Sequence, residues 1–215
     1  MNDLKTLIEN LKKEGFIKSE KVEKAMLDVD RKYFVLSEYQ NEAYIDEPLP
    51  TINGQTVSAP HMVAMMLEYL EIDKGNEILE IGTGLGYNAC LLASIAYPGF
   101  VYSVEIDRSL YLIALEKIQN YCKYKENIFL FNVDGSEGLP EYGPYDRIVV
   151  TCGMPNINEN LLNQLNDDGI LLAPVGSNYY QDLVKIKKFG KKLHKEYLGE
   201  VMFVPMRGKY GFEQY

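Results

Sequence analysis

The chain has 215 residues, 47% of them hydrophobic and 25% charged, the proportions of an ordinary globular protein, which excludes a disordered or collagenous chain. Thirty-one acidic against 22 basic residues leave a formal charge of −9, so nucleic acid or an anionic membrane would meet net repulsion, and neither is expected as a partner. The three cysteines, Cys90, Cys122 and Cys152, carry no C-x-x-C spacing and read as buried thiols, with no disulfide framework and no metal site. The start, Met1-Asn2-Asp3-Leu4-Lys5, lacks the basic and apolar runs of a secretory signal, and no window approaches the ~18 apolar residues of a membrane helix. A cytoplasmic monomer is expected, folded as one domain over residues 1–215, with helices and a long loop in 1–72 and an α/β core in 73–215.

Leu4, Leu7, Ile8 and Leu11 recur at helical spacing until Gly15, and Ser19 opens a second run carrying Val22, Met26 and Val29. From Tyr44 to Thr56 the prolines of Glu47-Pro48-Leu49-Pro50 hold the backbone extended and Asn53-Gly54 turns it. A loop of this length is a candidate for function. Pro60 suits the first turn of the next helix, which puts Met62, Val63, Met66, Leu67 and Leu70 on one face.

From Glu77 strand and helix alternate: Ile78–Ile81, Phe100–Ile106, Ile128–Phe131, Ile148–Thr151 and Ile170–Val175 as strands, with helices over Tyr87–Ala96, Ser109–Tyr121 and around Asn158–Leu165. That alternation predicts a parallel sheet covered on both faces. Leu183–Phe189 and Glu200–Met206 flank a Gly- and Lys-rich link and read as a closing antiparallel hairpin. The sum is a doubly wound, Rossmann-like, mostly parallel seven-stranded sheet with an antiparallel strand near its C-terminus.

The most informative stretch is Ile78-Leu79-Glu80-Ile81-Gly82-Thr83-Gly84-Leu85-Gly86-Tyr87, a strand entering three alternating glycines and then a helix. Glycine there lets backbone pass close to a ligand. A dinucleotide fingerprint would place its third glycine where Tyr87 stands. With Glu80 preceding the first glycine, the run resembles the loop of S-adenosylmethionine (SAM) methyltransferases, which makes Glu80, Gly82, Thr83, Gly84 and Gly86 candidate cofactor residues. Glu105 ends the second strand where a carboxylate can accept both ribose hydroxyls, with Asp107 as its competitor. Asp134-Gly135, at the carboxyl edge of the third strand, is a candidate for the adenine edge, and a plain turn otherwise.

Two longer runs carry a family resemblance. Ala43-Tyr44-Ile45-Asp46-Glu47-Pro48-Leu49-Pro50 with Gly54-Gln55-Thr56-Val57-Ser58-Ala59-Pro60-His61-Met62, and Asp134-Gly135-Ser136-Glu137-Gly138-Leu139 with Pro144-Tyr145-Asp146-Arg147-Ile148, resemble the protein-L-isoaspartate (D-aspartate) O-methyltransferases. Phe203-Val204-Pro205-Met206 falls in the family's order as well. Departures are Val133, Gly143, Asp30-Arg31 for a familiar Pro-Arg, and Glu105-Ile106-Asp107. The resemblance implies transfer of a methyl group from SAM, leaving S-adenosylhomocysteine, to the α-carboxylate of L-isoaspartyl residues in damaged proteins and peptides. It also implies Ser58 as the catalytic donor to the acceptor carboxylate, with Thr56, Val57, Ser58, Val204 and Pro205 as substrate contacts.

The chemistry suits these residues. A carboxylate with a reference pKa of about 3.9 is ionised at neutral pH and needs no general base, only alignment. Ser58 also reads as a helix N-cap, a role that need not exclude the first. His61 reads as a packed or capping residue, and the lysines from Lys185 to Lys195 as charges that blunt a sheet edge. The rival readings are a SAM methyltransferase for another acceptor and a SAM-binding module without catalysis. A nucleic-acid methyltransferase is disfavoured by charge and by the lack of an Asn-Pro-Pro-Tyr type motif.

Overall fold

A computed structural model of the chain describes residues 3–212, so Met1 and Asn2 of the N-terminal reading lie outside it. The first helix, α1 (Leu4–Lys13), is capped by Asp3, and α2 (Glu20–Asp28) by Ser19. Two 3₁₀ turns, Arg31–Phe34 and Ser37–Glu42, lead into the long loop. Within it β1 (Leu49–Pro50) and β2 (Thr56–Val57) pair antiparallel around the Asn53-Gly54 turn, and α3 (Pro60–Tyr69) follows. The core then runs β3 (Ile78–Ile81), α4 (Tyr87–Ala96), β4 (Val101–Val104), α5 (Arg108–Tyr121), β5 (Ile128–Phe131), β6 (Tyr145–Val150), α6 (Glu159–Asn163), β7 (Leu165–Gly176), β8 (Gln181–Phe189) and β9 (Lys192–Val201).

The seven strands β3 to β9 form one sheet in the order β5-β4-β3-β6-β7-β8-β9. Strands β3 to β7 are parallel, and β8 alone is reversed, antiparallel to both β7 and β9. The chain leaves β3 toward β4 on one side and reaches β6 on the other, so the order reverses at β3. In a doubly wound sheet this is where a crevice opens beyond the carboxyl ends.

Each inner strand is apolar on both faces, which is why its sequence reads as a continuous run rather than an alternation. Ile78, Val149, Ile170 and Leu172 join the cluster that holds α1 to α5. Leu79, Ile148, Val150 and Leu171 point the other way, toward Leu161 of α6. That first cluster extends from Leu7 to Phe203, so the N-terminal helices share the core of the sheet.

The closing hairpin is present, but its second arm is Lys192–Val201 and not Glu200–Met206. The link is only Gly190-Lys191, and Gly190 adopts φ +56, so the chain turns back at once and consumes its strand length early. Met202–Met206 then leave the sheet, and Val204 and Met206 bracket Gly153 through main-chain hydrogen bonds of 2.8 and 2.7 Å. The expected helix around Asn158–Leu165 is shorter, because Leu165 already pairs with Tyr145 in β7.

Candidate active site

The glycine run leaves β3 at the reversal point. Gly82, with φ +100, passes so close to β6 that a Cβ there would lie 2.4 Å from Thr151 Oγ1. Gly86, with φ +90, is the N-cap of α4, and a Cβ there would lie 2.9 Å from the Ile118 side chain. Thr151 fixes the turn from the neighbouring strand, its hydroxyl donating to the Gly82 carbonyl at 2.6 Å.

Beyond this turn lies a cleft with two lobes. The larger, about 580 Å³ with its open mouth included, is walled by Gly82, Gly84, Glu105, Leu110, Gly135 and Ser136, with Val204 and Pro205 across from them. The smaller, about 490 Å³, is bounded by Thr56, Val57, Ser58, Thr83, Tyr87 and Asn88. Thr56, Gly82, Gly84 and Thr151 belong to both walls, so the lobes join beside the glycine turn.

Glu105 is 6% exposed at the edge of the larger lobe. Its Oε2 accepts from the Gly84 amide and its Oε1 from the Asp107 amide, both at 2.9 Å. Burial raises its pKa, an effect these two bonds oppose. A carboxylate has about four acceptor positions, so two remain for a ligand. Asp107, its competitor in the sequence, caps α5 through the Ser109 and Leu110 amides. Between the two carboxylates, only Glu105 lines the cleft.

Ser58 is half-buried and its hydroxyl has no hydrogen-bond partner among the described residues, while its carbonyl accepts from Arg31 Nη2 at 3.1 Å. The N-cap of α3 is Ala59 and makes no side-chain capping bond, so the capping reading of Ser58 is corrected. The reason is local: Pro60 fills the first turn, where a missing amide costs nothing.

The packing places the other expected site residues as follows. Glu80 is fully buried behind the turn, where it accepts from Ser103 and, at 2.8 Å, from Asn88; burial pushes its pKa up to about 7. It braces the turn and lines neither lobe. Gly86 likewise serves helix packing. Thr83 reaches the smaller lobe, but its hydroxyl is tied to Ser103 at 2.6 Å. Asp134 stands next to Gly135 and Ser136 of the larger lobe without itself lining it: Oδ1 accepts from the Ser136 amide and Oδ2 from the Lys209 amide, at 2.9 and 2.8 Å. Val204 and Pro205 wall the larger lobe, away from Ser58. Cys152 is only half-buried and lines that lobe, its thiol pushed up to about 12 by burial and so held neutral; Cys90 and Cys122 are buried as expected.

Residues missed in the sequence include Thr151, Asn88, Arg207 and Arg31. Thr151 ends a predicted strand beside the glycine turn, which was a usable signal. Arg31 stands in the Asp30-Arg31 pair that departs from the family's Pro-Arg, while no local pattern marked Asn88 or Arg207. Among the described residues no group of three His, Cys, Asp or Glu side chains is placed to hold a metal ion, and no helix is long and apolar enough to cross a membrane.

With this geometry in place, comparison with known proteins is direct. The profile of the family described as protein-L-isoaspartate(D-aspartate) O-methyltransferase matches residues 2–211. A protein-L-isoaspartate O-methyltransferase of Methanosarcina mazei is 47% identical over 98% of this chain and 85% of its own length. One from Methanothermobacter thermautotrophicus is 43% identical over 99% of both chains. Among solved structures, a Plasmodium falciparum protein described by the same activity, in complex with S-adenosyl-L-homocysteine, superposes with a TM-score of 0.83 at 29% identity, over 96% of this chain and 99% of that one. The chain belongs to the protein-L-isoaspartate (D-aspartate) O-methyltransferase family.

Proposed function

We propose that this protein transfers the methyl group of SAM to the α-carboxylate of L-isoaspartyl residues in damaged proteins and peptides. The observation that carries the reading is the two-lobed cleft: a buried carboxylate, Glu105, in one lobe and the unpartnered hydroxyl of Ser58 in the other, joined at the glycine turn. The residues fit the cofactor. Glu105 retains acceptor positions for ribose hydroxyls, Leu110 and Ile106 give an apolar wall for a base, and Gly82 and Gly84 leave room beside the backbone. When bound, SAM supplies an electrophilic methyl group on a sulfonium.

The protein's own contribution is placement. Glu105 and the turn orient one partner in the larger lobe. The Ser58 hydroxyl donates to one oxygen of the acceptor carboxylate and leaves the other free to attack. A neutral donor holds the anion without stabilising it so far that its nucleophilicity is lost. The loop and the Val204-Pro205 wall exclude water, and proximity of this kind is worth several kcal/mol of barrier. The following backbone amide nitrogen then attacks the ester carbonyl and displaces methanol to close a succinimide without further help, and hydrolysis of that ring returns part of the damage to normal aspartate.

We further propose a cytoplasmic monomer that folds as one unit and binds no nucleic acid. The formal charge of −9 opposes polyanions, the three free cysteines suit a reducing compartment, and one apolar cluster spans the chain. Sedimentation velocity would report the mass.

The decisive test uses labelled SAM and two peptides identical except for L-isoaspartate in one and aspartate in the other. Base-labile methyl ester on the isoaspartyl peptide alone is the expected result. Transfer to neither, with SAM binding intact, would move the protein to another acceptor or to a binding role.

A further inference from the structure

Beneath the loop that carries Ser58 lies a fully buried arginine. Arg31 is 0% exposed and is in no ion pair among the described residues. Its guanidinium donates only to main-chain carbonyls: Nη1 to Ala43 at 2.8 Å, Nη2 to Glu47 at 3.0 Å and to Ser58 at 3.1 Å. Its Nε is the buried side-chain nitrogen left without a partner. Asp46, the carboxylate whose charge acts on it, is engaged elsewhere, accepting from the His61 amide at 2.8 Å and lying 3.0 Å from His61 Nδ1. Asp30 is held by the Tyr44 hydroxyl and the Lys32 amide.

Burying a cation without a counter-ion is costly, and proteins ordinarily pair such charges. Here the charge lies near Tyr87, one wall of a lobe whose lining carries no charge: the other polar members are Thr56, Ser58, Thr83, Asn88 and Thr151, and the rest are apolar or glycine. The Glu80 carboxylate behind the turn is drawn toward its neutral form by burial, so it opposes an incoming anion less than its formal charge implies.

We propose that Arg31 is a positioning and charge-selecting residue for the reaction above, and the inference rests on that reading. Its planar fork closes the base of the loop, joining Ala43 and Glu47 on the incoming segment to Ser58 on the outgoing one, and so sets where the Ser58 hydroxyl stands. Its positive charge supplies the counter-ion that the acceptor carboxylate meets on entering the uncharged lobe. Because the guanidinium reaches Ser58 through the main chain, it attracts the anion without a direct hydrogen bond that would blunt the attacking oxygen.

The test compares an isoaspartyl peptide with its isoasparaginyl counterpart, which carries a neutral carboxamide in place of the α-carboxylate, by calorimetry on protein saturated with S-adenosylhomocysteine. Wild type is expected to bind the carboxylate peptide about tenfold more tightly, the equivalent of 1.4 kcal/mol. Arg31→Met and Arg31→Gln should bring the two affinities within about twofold while S-adenosylhomocysteine affinity stays unchanged. Arg31→Lys should keep the preference for the carboxylate but lower kcat about tenfold, since one ammonium cannot serve the three carbonyls in the same plane.

A purely structural arginine would instead lose both peptides, the cofactor product and thermal stability together in all three variants, and that pattern overturns the proposal. So does an unchanged preference in a folded neutral variant. Should neither neutral variant fold, equal binding of the two peptides by wild type overturns it, and Arg31→Lys decides the rest: a retained preference with lowered kcat sustains the proposal, and unchanged kcat overturns it. Failure of the functional reading itself is seen separately, as wild type that methylates no isoaspartyl peptide.

Discussion

Asn53 donates its side-chain amide to Asp107 Oδ2 at 2.9 Å, although 54 residues separate them. Arg207 reaches the same oxygen at 3.3 Å, so the long loop and the C-terminal segment converge on one carboxylate beside the cleft. Asp107 meanwhile caps α5 with its other oxygen. One side chain thus ties the start of a helix to two of the walls that enclose the larger lobe.

Asp107→Asn should separate these roles. Asparagine caps a helix about as well as aspartate, so the melting temperature should change little, whereas the charge-assisted bond to Arg207 is lost. Release of S-adenosylhomocysteine in stopped-flow displacement should quicken about tenfold, consistent with the 1.5–3 kcal/mol typical of charged hydrogen bonds shared over two partners. An unchanged release rate would show that the walls close without this carboxylate.

Asn53 has a second consequence, because Asn53-Gly54 is a deamidation-prone sequence in an exposed turn. Asn53→Asp would set a carboxylate beside that of Asp107 and repel the loop from α5. The expected result is weaker S-adenosylhomocysteine binding at pH 7, reduced in part by protonating conditions. Peptide mapping of protein aged at neutral pH should find isoaspartate at position 53, and its absence would exclude the site as a source of self-damage.

Ser58→Ala should lower kcat by about 10- to 100-fold, the lower end of what loss of one preorganised donor costs, and leave S-adenosylhomocysteine affinity unaltered. Glu105→Ala should act the other way, weakening the cofactor by more than about tenfold. Kinetics on an isoaspartyl peptide together with calorimetry distinguish the two, and the reverse pattern would exchange their assignments.

Glu80 predicts a pH effect on stability. Burial raises it from an ordinary 4.5 to about 7, so the folded state holds this proton more tightly than the unfolded chain does. Its contribution is therefore full below pH 4.5 and is lost as pH rises through 7. Glu80→Gln keeps the partners Asn88 and Ser103 and removes the titration. Urea unfolding should show the variant matching wild type near pH 4 and exceeding it at pH 8, by up to about 3 kcal/mol. Equal stability at pH 8 would mean that the buried carboxylate is not penalised.

Asp134→Ala should act through the C-terminal segment. The carboxylate accepts from the Lys209 amide, and a Cβ at Gly208 would lie 2.1 Å from Oδ1. Its loss should raise amide exchange at Lys209 and Tyr210 before it changes cofactor affinity. Loss of affinity with unaltered exchange would return Asp134 to the adenine edge.

What the residues determine by themselves is local. The bounds of β3 and α4 follow from an apolar run, three glycines and a helical face, and Gly82 must be glycine because its backbone has a positive φ. That a carboxylate stands at the carboxyl end of β4 was legible too, and the fold places Glu105, directly after Val104, on the cleft while Asp107 caps α5. Tertiary structure decided the contacts that no period encodes. Asp134 is claimed by Lys209, 75 positions away, and Glu80 is turned behind the loop by Ser103. Val204 and Pro205 become a wall because a two-residue turn ends the hairpin early. Arg31 gathers Ala43, Glu47 and Ser58 because the loop must close over a buried donor whose needs only main-chain carbonyls meet. Backbone conformation and periodicity are properties of neighbouring residues, whereas the partner of a buried polar group is whichever acceptor the whole fold brings within 3 Å of it.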